Sequence, residues 1–182
     1  EKIMEQALAD DIAQFKKDGN FEGLTKEDAQ IQGLSDTRKY AFGATYEKHE
    51  TSDTVSYVFT VYQDTLGAHP NSFYQTFTFD QNAKLMQLSD LFKPGADYLN
   101  KLSKLSYDGV VAELKTKANA EPTPEMLETV RVGTAPSPEA LQFFYIEGST
   151  LHMLFPPYQV AAYAAGTFDV AIPRKALTDI LK

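Results

Sequence analysis

The chain contains no cysteine and no tryptophan, and only three of its 182 residues are histidine. Without thiols there can be no disulfide, no thiolate metal site and no cysteine nucleophile, while the compartment stays open because exported proteins also do without cysteine. No apolar run approaches the ~20 residues that span a bilayer, so no stretch of these residues is expected to cross a membrane. The opening EKIMEQALAD has neither the basic flank nor the apolar core of a signal peptide, which places any export signal or anchor upstream of Glu1. Basic residues are also in short supply: 17 against 25 acids, net −8. Nucleic-acid binders need clustered Lys and Arg to displace counterions, so that partner class is excluded. The acidity is uneven, with 13 acids and 7 bases before residue 67 and 12 acids and 10 bases after it. Such a field is either a solvated surface or a means of steering a cationic ligand.

Motifs for chemistry are missing as well. No H-x-H, H-E-x-x-H or clustered His/Asp pattern suggests a metal, and no cofactor is implied. G-x-S-x-G and phosphate-binding glycine loops do not occur, and SKLS lies inside a helical pattern with no base nearby. Among 25 acids some will pair by accident, and Asp10 with Asp11 falls on a surface helix, so nothing here argues for an enzyme.

What the chain does contain is enough apolar residue, 43% of the total, for one sizeable core, in a single domain or two closely packed lobes. Ile3, Met4, Ala7, Leu8, Ile12 and Phe15 follow the spacing of one helix face, with Gly19 as a stop. Residues 23–36 read mostly as loop with one helical turn started by Thr25 and Asp28. Alternating runs then predict strands: Tyr40 to Tyr46, Val55 to Val61 beyond a polar EKHETSD turn, Phe73 to Phe79, and the short KLMQL. Helical spacing returns from Tyr98 to Leu114, with a possible break at Gly109. Thr123 and Pro124 open a further short helix. A hairpin turning at 147–149 and the strand FDVAI follow, and Pro173 starts a closing helix. Strands and helices are segregated, so the expected class is α+β, an antiparallel β-sheet with helices packed on one face.

His49 falls in the charged turn, where a solvated imidazole is expected, and His152 in a strand, packed or half-exposed. His69 lies in LGAHPN, a turn expected to be held by Gly67 and limited by Pro70, with the imidazole bonded to a carbonyl or carboxylate. No base, nucleophile or oxyanion donor accompanies it, so it reads as structural or recognition chemistry. FPPYQVAAYAAGTF, residues 155–168, carries no charge yet holds Tyr158 and Tyr163. An uncharged aromatic loop is either tucked against the body or kept for a partner, since interface centres are depleted of charge and anchored by aromatics.

Together, GAHPN before an aromatic strand ending in FD, LSDLFKPGADYLNKL, and FPPYQVAAYAAGTFDVAIPRKAL resemble the extracytoplasmic domain family of the RsiV-type anti-sigma factor. That domain also accompanies some cell-wall polysaccharide deacetylases. The resemblance covers residues 54–182, and residues 1–53 fit the helix-plus-strand region that usually precedes it. It implies a non-catalytic binding or sensor domain outside the cytoplasmic membrane, once tethered or exported through an upstream segment. Its expected partner is a protein, lysozyme in the RsiV case, or a cell-wall glycan. By motif the implied contacts are Gly67, Ala68, His69, Pro70 and Asn71 in one loop and Pro157, Tyr158 and Tyr163 in the other. Leu66 stands where family members often have the first of two glycines, which alters how the first loop is presented. No sigma-binding segment or deacetylase catalytic domain lies within these residues.

Overall fold

The computed structural model describes every residue except Asp36 and Ala68. The chain divides into two compact units, residues 1–45 with 60–73, and residues 46–59 with 74–182.

In the first unit, α1 spans Lys2–Asp18 and α2 spans Lys26–Ile31. The apolar spacing of α1 predicts an amphipathic helix with one packed face; on that face Phe15 is buried, Met4, Ala7 and Leu8 are partly buried, and Ile3 and Ile12 remain exposed. Phe15 lies against Phe21 at 5.4 Å and Phe42 at 5.5 Å, and Phe21 stacks on Tyr40 at 5.3 Å. These aromatics gather around Phe15, the one buried residue of α1. α2 is longer than one turn because its start is well capped: the Asp28 amide donates to Thr25 Oγ1 and the Thr25 amide to Asp28 Oδ2, each at 3.1 Å. The Thr25 hydroxyl, and then its amide, donate to the Asp28 carboxyl and hold it below its ordinary range.

Four strands, β1 (Ala41–Glu50), β2 (Thr54–Asp64), β3 (Asn71–Asp80) and β4 (Leu85–Met86), form one sheet in that order. The division between units falls within β1, β2 and β3. Only residues 51–53 separate β1 from β2, which forces an antiparallel pair. This turn is shorter than EKHETSD suggests, and it puts His49 inside β1 rather than in a loop.

The second unit adds α3 (Tyr98–Ala118), α4 (Pro124–Gly133) and a second antiparallel sheet of β5 (Phe144–Glu147), β6 (Thr150–Phe155) and β7 (Phe168–Pro173). The class is therefore α+β with antiparallel sheets, two of them where the strand pattern suggests one. α3 runs unbroken through Gly109 because that glycine serves packing: a Cβ there would lie 2.4 Å from Val170 Cγ1 on β7. Leu102, Val110 and Leu114 of α3 join Phe155, Phe168 and Ile172 in the main core. Val58, Tyr145 and Leu154 form a second, smaller cluster with Tyr74 and Phe143. Between these lies the reason that β5 tolerates an edge position. Its Phe144 and Ile146 amides donate to Thr76 Oγ1 and Ser56 Oγ, both at 3.2 Å, so hydroxyls of β3 and β2 occupy donors that would otherwise face another chain. The expected closing helix shrinks to a 3-10 turn at Arg174–Ala176, after which Leu181 bridges back to Phe92. Among the described residues no helix is long and apolar enough to cross a membrane.

Candidate binding site

Phe155 ends β6 fully buried, and the chain then turns through two prolines into a loop that carries no charge of its own. Its fixed points come from other elements. Gln159 Nε2 donates to the carbonyls of Gly133, at the end of α4, and Ala140, at 2.9 and 2.8 Å. Val160 is buried behind it. Gly133 has no room for a side chain, since a Cβ would sit 2.0 Å from the Gln159 carbonyl oxygen. At the far end Lys117 of α3 donates from Nζ to the carbonyls of Ala165 and Thr167, both at 3.0 Å, and lies 4.0 Å over the Phe168 ring. Gly166, at φ 74°, makes the turn that only glycine makes without strain.

Held at both ends, the loop is partly tucked in and partly presented. Tyr158 is 55% exposed, its ring 5.4 Å from that of Tyr163. Its backbone is left-handed, with φ 71°. A bulky residue in that region is an outlier, and such strain persists only where the surroundings impose it. Pro157, Tyr158 and Tyr163 are thus brought together in the second unit.

The other predicted contacts belong to the first unit. Leu66, not Gly67, takes the left-handed backbone there, with φ 60°, and its amide donates to Asp64 Oδ1 at 2.7 Å. That corrects the expectation of a turn held by Gly67: a leucine in the first glycine's place adopts the conformation itself, helped by an aspartate bond. His69 is exposed and its Nδ1–H donates to the Pro70 carbonyl at 2.8 Å, a bond that selects the tautomer. Asn71 is the exposed first residue of β3. Ala68 lies outside the described residues.

A cluster absent from the sequence reading surrounds Tyr145. His49 lies against one part of its ring at 4.2 Å and His152 stacks on it at 4.3 Å, 18° from parallel. The side chains of both imidazoles are only 12% and 13% exposed, so the expected solvated His49 is corrected to a packed one. His49 Nδ1–H donates to Glu147 Oε1 at 3.0 Å, and His152 Nδ1–H to Asp169 Oδ1 at 2.8 Å. The Tyr145 hydroxyl donates to Asp169 Oδ2 at 2.8 Å. Burial, and then the Asp169 carboxylate, drive the Tyr145 phenol far above the ordinary tyrosine range. Every principal donor here is spent on a neighbouring strand. Strand alternation on β5 to β7 was the signal that could have found it, because Tyr145 pairs with His152 while Asp169 lies two residues from Ala171, the partner of His152, on the same sheet face. Among the described residues no group of three or more His, Asp or Glu is placed to hold a metal ion.

Comparison with known proteins adds the family context. Peptidoglycan-N-acetylmuramic acid deacetylase PdaC of Bacillus subtilis (strain 168) is 33% identical over 159 residues, 86% of this chain. The chain spans 32% of that enzyme's length. A solved structure of a DUF3298 family member from Bacteroides fragilis NCTC 9343 matches with a TM-score of 0.67 and 20% identity, covering 100% of this chain and 69% of that one. A DUF3298 family protein from Pseudomonas aeruginosa PAO1 matches with a TM-score of 0.56 and 16% identity, over 87% of this chain and 70% of its own. At such identities the likeness is one of fold. Residues 89–175, which take in α3, α4 and the whole of the second sheet, match the model of a family described as a protein of unknown function, DUF3298.

Proposed function

We propose that this chain is a non-catalytic binding or sensor domain that works outside the cytoplasmic membrane and recognises a basic protein such as lysozyme, or a component of the cell wall. One observation carries the reading: an uncharged loop pinned at both ends presents Tyr158, 55% exposed and in a left-handed backbone, beside Tyr163. Rigid aromatics offer large contact area at small entropic loss, and pinning lowers the ordering cost of association. The net charge of −8 would raise the encounter rate with a cationic partner. The sequence resemblance to the RsiV-type domain supports a protein partner. Likeness to part of a peptidoglycan deacetylase supports the second reading, a carbohydrate-binding accessory domain of a wall-modifying enzyme. The Gly67–Asn71 turn is proposed as a further contact of the first unit, with His69 orienting its backbone.

Calorimetric titration with animal-type lysozyme at low and high salt tests the protein reading. Saturable binding that weakens with salt is expected, and Tyr158→Ala should reduce it by about 1 to 3 kcal/mol. Absence of both heat and inhibition of lysozyme activity discards lysozyme, and an unchanged affinity in a folded Tyr158→Ala variant removes the loop from the interface.

A further inference from the structure

The second unit contains a groove that shares no residue with the Tyr158 loop. It has a volume of about 270 Å³ and is lined on its rim by Gln87, Ser89, Tyr98, Leu99, Pro138 and Gln142. None of its lining residues is charged, in a chain where 23% of residues are. Other clefts differ: one is lined by Asp53, Asp80, Asp90, Arg174 and Lys182, another by Lys16, Lys17 and Glu22.

The groove is built on rigid parts. Leu141 and Phe144, beneath the rim, are 1% and 6% exposed. Tyr98 stacks on the buried Phe92 with ring centroids 4.8 Å apart and planes 8° from parallel. The Gln87 backbone N–H donates to Asp90 Oδ2 at 2.9 Å, and Ser137 Oγ turns the opposite rim by accepting the Ala140 backbone N–H at 3.2 Å. Among the described residues the Gln142 amide and the Ser89 hydroxyl have no hydrogen-bond partner, and both residues are exposed.

That chemistry narrows the ligand. A groove without charges cannot offset the desolvation of an ionic group, which excludes phosphates, carboxylates and ammonium ions as the part that enters. Two carboxamides, a hydroxyl and a phenol both donate and accept, so they match a ligand rich in hydroxyl or acetamido groups. Tyr98, Leu99 and Pro138 supply apolar surface for the C–H face of a ring. At about 270 Å³ the volume lies just below the usual range of ligand pockets, roughly 300 to 1,000 Å³. We propose that this groove is a subsite for a neutral saccharide. The inference deepens the cell-wall half of the preceding reading and is independent of the lysozyme half, because it uses different residues.

The test is titration of the whole chain with N-acetylchitotriose and with cellotriose, followed by calorimetry and amide chemical shifts. Saturable binding of either sugar, insensitive to salt and weakened about tenfold by Gln142→Ala or Gln87→Ala, is expected. Both glutamines are exposed, so these variants should fold. Tyr158→Ala should leave sugar binding unchanged. Failure of both sugars to bind, or equal binding by both glutamine variants, overturns the proposal. Sugar binding lost only in Tyr158→Ala also overturns it, by moving the glycan to the loop. Lysozyme titrated into a separate, sugar-free sample reports on the protein reading.

Discussion

Around Tyr145 two imidazoles lie against the ring at 4.2 and 4.3 Å, the hydroxyl is bonded to Asp169, and the residue is 7% exposed. Tyr158 has Tyr163 beside it at 5.4 Å and keeps 55% of its surface open. The first cluster holds the residues that usually signal chemistry, two histidines with carboxylates, and uses them to join β1 to β5, β6 and β7. The second is an uncharged loop, and its Tyr158 ring stays largely open to solvent. What separates them is their support: His49, His152 and Tyr145 bond to carboxylates on neighbouring strands, while the tyrosine loop is anchored through Gln159 and Lys117.

The largest test of that contrast is Gly133→Ala. A methyl group there would meet the Gln159 carbonyl at 2.0 Å, backbone against a helix end, with little freedom to relax. Overpacking of this kind costs about 3 kcal/mol. It should also shift the loop and so abolish whatever Tyr158 binds. Urea denaturation together with the lysozyme titration checks both. A variant as stable as the parent would show that the loop is not pinned at α4.

Next comes Tyr145→Phe, which keeps the ring stack and removes the hydroxyl bond to Asp169. Loss of a hydrogen bond to a charged group is worth about 2 kcal/mol, and partner binding should not change. The pH dependence has a definite sign. Folding raises the Tyr145 phenol far above its ordinary value, so its contribution to stability is complete below about pH 10, where the unfolded phenol is still protonated. It then declines as pH climbs further. Denaturation midpoints measured from neutral to alkaline pH should therefore fall more steeply for the parent than for Tyr145→Phe. Parallel curves would mean that the hydroxyl is not held neutral by the fold.

Much of the fold was legible because periodicity is local. Thr25 with Asp28, Thr123 with Pro124, and the alternating runs of β2, β3, β6 and β7 each show their element within a few residues. The site was half legible for the same reason. Absence of charge in residues 155–168 marks the loop, but nothing nearby in sequence shows that Lys117, some fifty residues earlier, would supply its cation, or that Gly133 would be its seat. His49 was misplaced because a strand continued past the charged residues that usually mark a turn, and its partner Glu147 is 98 residues away. Leu66 misled in the opposite sense. A leucine beside a glycine leaves the glycine as the expected left-handed residue, yet the Asp64 carboxylate bonded to the Leu66 amide favours the other choice.

The smallest effect separates strain from ring at Tyr158. Tyr158→Ala and Tyr158→Gly both remove the side chain, so both should lose partner binding to the same degree. They differ in the backbone: at φ 71° an alanine keeps the left-handed penalty, whereas glycine does not. If the anchored loop imposes this conformation, the glycine variant should be the more stable of the two by about 1 kcal/mol, even after its greater unfolded-state entropy. Thermal midpoints of the two variants, measured side by side, decide it. Equal midpoints would mean that the free loop relaxes once the ring is gone, so that the tyrosine itself, through its contact with Tyr163, holds the backbone left-handed. A more stable glycine variant would instead put the strain in the scaffold, where the anchors at Gly133 and Lys117 maintain it.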